Sequence, residues 1–142
     1  MRIAYFSDTF TPQINGVTKT LNKLKDYLNE NSIESMFFVP EYSQKLYEEN
    51  CTENNNIKRF KSIGLPIYPE CRVSIPFYAN MAHIVDEFNP DLIHLVTPFG
   101  IGLAGLRYAR EKNKPLVSSF HTNFDSYLKY YKLNFLGSIT WD

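Results

Sequence analysis

RIAYFSDTFTPQINGVTKTL, from Arg2 to Leu21, decides how this chain folds. Ile3 to Phe6 is a short apolar run with aromatic content, bounded by Ser7-Asp8-Thr9, and it reads as a buried strand. From Val17 the apolar positions Val17, Leu21, Leu24 and Leu28 recur at helical spacing, with Lys19, Lys23, Lys25 and Asp26 between them. That pattern predicts an amphipathic helix. A strand therefore passes through a Pro-bearing loop into a helix that begins at Asn15-Gly16. The first turn of a helix carries backbone N–H groups without intrahelical partners, and its aligned peptide dipoles add partial positive charge. Such a junction suits a phosphate: Asn15 can cap the helix, and Gly16, lacking Cβ, lets a diphosphate oxygen approach its N–H. Asn-Gly is also an ordinary turn with a helix cap, and on this stretch alone both readings stand.

The pattern repeats downstream. Ser32 to Pro40 (SIESMFFVP) predicts a second strand, and a polar stretch from Glu41 to Asn56 reads as an excursion. Ile57 to Phe60 (IKRF) predicts a short strand, and Ile63 to Pro76 (IGLPIYPECRVSIP) reads as a Pro-punctuated loop. Phe77, Met81, Ile84, Val85 and Phe88 form a helical face closed by Asn89-Pro90. Asp91 to Thr97 (DLIHLVT) predicts a strand, Ile101 to Lys112 a helix, Pro115 to Phe120 (PLVSSF) a strand, and Asn123 to Tyr131 (NFDSYLKYY) a short helix. Strands separated by helices imply parallel βαβ units in an open, doubly wound α/β sheet of Rossmann-like type. Ligands of such sheets bind at the carboxyl ends of the strands, near the switch point. That singles out the loops Asp8 to Gly16, Thr97 to Gly100 and His121 to Asn123.

Composition narrows the class. A chain of 142 residues is expected to form one domain, and 44% hydrophobic with 21% charged residues describes a folded chain. Lys plus Arg equals Asp plus Glu at 15 each, so nucleic acid is not an expected partner. Towards the C-terminus Arg107, Arg110, Lys112, Lys114, Lys129 and Lys132 outnumber the acids. This reads as a solvated helical face or as a weakly basic surface towards anionic lipid or phosphate. Cys51 and Cys71 lack metal-ligand spacing and are expected to be reduced structural thiols. MRIAYFSDTF turns polar at Ser7 before an apolar signal-peptide region can form, and no apolar run approaches the roughly 20 residues of a membrane span. A cytoplasmic protein without a bound metal is the expectation.

GIGLAG, Gly100 to Gly105, matches the spelling of the dinucleotide fingerprint after a strand and at a helix start. It occupies a late βα unit, Thr97-Pro98-Phe99 intervene, and no acidic residue closes the following strand. Small residues that let a helix pack closely on the sheet are the competing reading. His121 falls where an α/β sheet presents catalytic groups, at a strand's carboxyl end before a polar turn.

Four segments together, RIAYFSDTFTPQINGVTKTL, YPECRVSIPF, PDLIHLVTPFGIGLAGLRYAR and PLVSSFHTNFDSYLKYY, resemble the N-terminal half of a retaining glycosyltransferase of family four, with the two-domain GT-B architecture. The resemblance is to mannosyl- and glucosyltransferases that act on lipid acceptors. It implies transfer of a hexose from a nucleotide sugar such as UDP-glucose or GDP-mannose, without a metal or other cofactor, to a lipid or glycolipid. Gly16 matches the glycine that approaches the donor diphosphate, with Asn15 beside it, and His121 matches the histidine beside the transferred sugar. Thr97, Tyr127 and Lys129 are the acceptor-side candidates, from loop position. Family members carry a second, donor-binding domain with an Arg/Lys pair and a Glu-x7-Glu motif. This chain reaches SITWD before such a domain, so residues 1–142 are expected to be the acceptor-side domain of a longer enzyme. Lipid acceptors add a peripheral contact at the inner membrane face as an expectation. A nicotinamide-dependent oxidoreductase using Gly100, Gly102 and Gly105, and a noncatalytic sugar- or protein-binding module, are the rival classes.

Overall fold

The architecture follows from where apolar side chains can be covered. The structure is a computed structural model and describes residues 1–42, 55–65, 68–74, 77–119 and 121. β1 (Arg2–Phe6) leads into α1 (Gly16–Glu30), then β2 (Glu34–Pro40), β3 (Ile57–Phe60), the hairpin β4 (Ser62–Leu65) and β5 (Tyr68–Ser74), α2 (Tyr78–Phe88), β6 (Leu92–Leu95), α3 (Gly100–Glu111) and β7 (Leu116–Ser118). The strands β3-β2-β1-β6-β7 form one sheet in that order, and every neighbouring pair is parallel. The chain winds outward from β1 to β3, then returns to place β6 on the other side of β1. The switch point therefore lies between β1 and β6.

β1 is central, and a central parallel strand is covered on both faces, so its apolar run need not alternate with polar residues. Its side chains point alternately to the two faces. Ile3 and Tyr5 join α1's Leu21 and Leu28 and β2's Phe37 and Val39 in one core. Ala4 and Phe6 join Met81 and Val85 of α2 and Ile101, Tyr108 and Ala109 of α3 in the other. Aromatic rings bind β1 to β2 on both faces: Tyr5 stacks on Phe37 at 4.8 Å between centroids, and Phe6 on Phe38 at 4.6 Å. Each such fully buried ring contributes about 1.5–3 kcal/mol of hydrophobic stabilisation.

The predicted strands and helices agree with these elements, with one correction. Ile63 to Pro76 is not simply a loop, because β4 and β5 pair antiparallel within it as a two-stranded ribbon with an irregular register at Gly64/Leu65. Both strands of a two-stranded ribbon are edges, which tolerate a proline where its missing N–H would have faced solvent. Pro69, one of the prolines that argued for a loop, is thus compatible with its place in β5, while Pro66 and Pro76 lie outside the described residues. Asn89 closes α2 in the left-handed conformation, φ 48°, as a terminal Asn does. The predicted helix from Asn123 to Tyr131 lies outside the described residues, as does Cys51.

Three basic residues in and just after α3 are engaged locally. Arg107 pairs with Glu111 at 2.7 Å and stacks over Tyr78 at 3.9 Å, Lys112 pairs with Asp86 at 3.0 Å, and Lys114 bonds Asn89 at 2.9 Å. Burial, reinforced by the hydrogen bond to Glu111, pushes the Tyr78 hydroxyl up to about 12. Exposed pairs of this kind add little stability. Lys129 and Lys132 lie outside the described residues. No helix among the described residues is long and apolar enough to cross a membrane.

Candidate functional site

The carboxyl ends of β1 and β6 are locked together by one carboxylate. Asp8, just beyond β1 and 3% exposed, accepts hydrogen bonds from Thr97 Oγ1 at 2.7 Å, from the N–H of Ile101 at 2.8 Å and from the N–H of Gly102 at 3.3 Å. Its own N–H donates back to Thr97 Oγ1 at 2.7 Å. The N-terminus of α3 is therefore filled by a carboxylate of the protein, which satisfies its orphan donors and complements its dipole. Burial raises the Asp8 pKa, and its hydrogen bonds to Ile101, Thr97 and Gly102 oppose that rise. Sequence reading assigned Asp8 no role. The available signal was an acidic residue directly after an apolar strand at the switch point.

The glycines of GIGLAG have packing reasons. A Cβ on Gly100 would overlap the Ser74 carbonyl oxygen, one on Gly102 the Thr97 carbonyl oxygen, and one on Gly105 would lie 2.5 Å from the Phe6 ring. These contacts account for the small residues as what lets α3 lie close against the sheet, β5 and the β6 loop. With Asp8 on the helix end, no anion is needed to explain them.

The N-terminus of α1 is built differently. Asn15 caps it in extended conformation, its Oδ1 accepting from Thr18 N–H at 2.9 Å, while its Nδ2 donates to Thr9 Oγ1 at 2.9 Å. The Lys19 N–H bonds the Asn15 carbonyl at 3.1 Å. Among the described residues no hydrogen bond engages the N–H groups of Gly16 and Val17. Gly16 is exposed, and a Cβ there would meet no atom within 4 Å. Packing thus supplies no reason for a glycine at this position. The open helix end lies past the carboxyl end of β1, next to the switch point.

His121 is exposed, past the end of β7. The strand end before it is tied to β6 by the Ser119 N–H, which bonds the Leu95 carbonyl at 2.9 Å, and by a short hydrogen bond between Ser119 Oγ and His94 Nε2. His94 stacks on Tyr5 at 4.9 Å. Burial lowers the His94 pKa, and the neighbouring His121 adds to that lowering. Thr97 lies at the predicted strand end, but its buried hydroxyl faces Asp8, which takes its proton and one lone pair. Its side chain anchors the loop rather than facing solvent. Tyr127 and Lys129 lie outside the described residues. Among the described residues no three His, Cys, Asp or Glu side chains gather as a metal site would require.

Comparison with known proteins identifies what this arrangement is similar to. The model of the family described as Glycosyltransferase Family 4 matches residues 14–142. The chain is 26% identical over 144 residues to a GDP-mannose-dependent alpha-mannosyltransferase of Corynebacterium glutamicum, an alignment covering 100% of this chain and 34% of that protein. It is 29% identical over 130 residues to an alpha-monoglucosyldiacylglycerol synthase of Streptococcus pneumoniae, covering 92% of this chain and 29% of that protein. A second alpha-monoglucosyldiacylglycerol synthase, from Acholeplasma laidlawii, is 26% identical over 136 residues, with 92% of this chain and 32% of that protein covered. The chain spans about a third of the length of these curated relatives.

Proposed function

This chain belongs to glycosyltransferase family 4, and on that premise we propose that it forms the acceptor-side domain of an enzyme that transfers a hexose from a nucleotide sugar to a lipid or glycolipid, with retention. The observation that carries the reading is the contrast between two helix ends at one switch point. The end of α3 is filled by Asp8, whereas the end of α1 holds Gly16 and Val17 N–H groups open beside a capping Asn15. An external anion has one prepared place between them, and a sugar diphosphate is the anion that the names of several relatives call for.

The chemistry then follows from charge. Breaking the bond between the anomeric carbon and the β-phosphate oxygen leaves an oxocarbenium-like sugar and negative charge on the diphosphate. The open end of α1 stabilises that leaving group, and donors from a second domain beyond these residues contribute the rest. His121, exposed past the end of β7, orients the sugar. The acceptor hydroxyl forms the new bond on the face the diphosphate leaves, and its proton passes to the departing phosphate oxygen. On the acceptor side Tyr127 and Lys129 make contact, while Thr97 supports the loop. Lipid acceptors bring the protein to the inner membrane face as a peripheral enzyme. No metal is required in this scheme.

Incubation of the full-length protein with GDP-mannose or UDP-glucose and diacylglycerol or a glycolipid acceptor tests the reading. Product with the anomeric configuration of the donor is expected, and residues 1–142 alone should give none. Absence of saturable binding of either donor to the full-length protein refutes it, and saturable NAD(H) binding would favour an oxidoreductase.

A further inference from the structure

A chain of hydrogen bonds runs from the end of β2 to the first turn of α1. Tyr42, two residues past β2, is 6% exposed. Its hydroxyl accepts from the Phe10 N–H at 3.2 Å and donates to Gln13 Oε1 at 3.0 Å. The same Gln13 oxygen accepts from Thr9 Oγ1 at 3.1 Å, and Thr9 Oγ1 accepts from Asn15 Nδ2 at 2.9 Å. Asn15 then gives Oδ1 to the Thr18 N–H. Gln13 Oε1 accepts from both Tyr42 and Thr9, and Thr9 Oγ1 accepts from the Asn15 amide. Asn15 therefore presents its amide nitrogen to Thr9 and its oxygen to the helix. The far end of the chain is also held, since the Arg72 guanidinium lies over the Tyr42 ring, 5.2 Å from its centroid. Arg59 Nη1 grips the same loop from β3 through the carbonyls of Thr11 at 3.0 Å and Pro40 at 3.1 Å.

We infer that Tyr42 is a positioning residue for anion recognition: through Gln13 and Thr9 its hydroxyl sets the Asn15 cap, and with it the direction in which the Gly16 and Val17 N–H groups point at a diphosphate. This rests on the reading of the α1 end as the donor site. Hydrogen-bond chains of this kind, partly withdrawn from water, polarise and rigidify one another, so removing the Tyr42 hydroxyl loosens every link up to the cap. A residue that served only to fill space would act through its ring instead.

Two variants of the full-length protein separate these roles. Tyr42→Phe keeps the ring and deletes the hydroxyl, and Gln13→Met breaks the next link at similar length. Amide hydrogen exchange is measured without ligand, and GDP and UDP are titrated calorimetrically. Exchange at Thr18 and Lys19, whose N–H groups bond Asn15, is expected to rise about fivefold or more in both variants, with Leu21 to Leu28 unchanged. The Kd for the nucleoside diphosphate should rise by a similar factor. Unchanged exchange at Thr18 and Lys19 overturns the inference, as does a uniform rise along α1 with a fallen melting temperature, the mark of a packing residue. A wild-type protein that binds a nucleoside diphosphate and a Tyr42→Phe variant that binds it equally well also overturn it. If wild type binds neither nucleoside diphosphate while exchange rises selectively at the cap, the donor-site reading fails and the relay from Tyr42 to the helix end stands.

Discussion

Replacing Gly16 by alanine adds one methyl group at the first helical position of α1, and the structure separates its effect on folding from its effect on binding. The added Cβ meets no protein atom within 4 Å, and no glycine in the described residues has a positive φ. The folded state therefore accommodates alanine, and the less flexible unfolded chain predicts a gain of about 0.4–1 kcal/mol. For a domain of this size that is a rise of roughly 1–4 °C in Tm. Binding should move the other way. A diphosphate oxygen on the Gly16 N–H makes a charge-assisted hydrogen bond of about 1.5–3 kcal/mol. A methyl that displaces this oxygen forfeits the bond, which corresponds to a donor Kd weaker by about 10- to 150-fold. Gly16→Val extends the obstruction with a branched side chain and should weaken binding further. Calorimetric titration of the full-length variants with GDP-mannose and UDP-glucose, beside thermal melts of the same preparations, reads both effects. A folded Gly16→Ala protein with unaltered donor affinity removes Gly16 from the site, and a fall of several degrees in Tm refutes the open space on which the reasoning depends.

Gly105→Ala should do the opposite, because its Cβ would lie 2.5 Å from the Phe6 ring, itself stacked on Phe38. Overpacking there is expected to cost about 1–3 kcal/mol in urea unfolding, and an unchanged midpoint would contradict the close seating of α3. Asp8→Asn tests the buried carboxylate: burial holds its folded pKa above the ordinary 3.8, so the folded state binds the extra proton. Its contribution to stability is therefore fully present below that value and is lost as pH rises through the raised one. The stability gap between wild type and Asp8→Asn should narrow from pH 4 to pH 7, and a gap that widens would reverse the assigned balance between burial and hydrogen bonding. His121→Ala in the full-length enzyme should lower kcat/KM by about 100-fold or more, equivalent to about 2.7 kcal/mol, with little change in melting temperature, as its exposure implies. A lower melting temperature with normal specific activity in the folded fraction would make His121 a structural group.

Much of the framework was legible from local pattern. The apolar run at Ile3 to Phe6, the helical spacing of Val17, Leu21, Leu24 and Leu28, and the later repeats of strand and helix each depend on neighbours a few residues apart. The Asn15 cap was legible for the same reason, since its bond to Thr18 spans three residues. The hairpin β4–β5 was not, because Pro69 carries the same letter in a loop as in an edge ribbon, and only the pairing of β4 with β5 distinguishes them. Thr97 was placed correctly at a strand end, yet the side to which its hydroxyl turns depends on Asp8, which is 89 residues away in sequence.

What the sequence determined by itself, then, is the succession of elements and the existence of loops at the strand ends, because hydrophobic period and capping chemistry are short-range properties. Which loops meet was decided by the tertiary structure. Returning the chain to place β6 beside β1 brings Asp8 to Thr97, Ile101 and Gly102, and that one placement occupies the end of α3 and turns GIGLAG into a packing surface. It leaves the end of α1 as the open one. The two helix ends carry the same backbone donors and the same dipole, so the difference between them is set by the side chain that the sheet order delivers to one and not to the other.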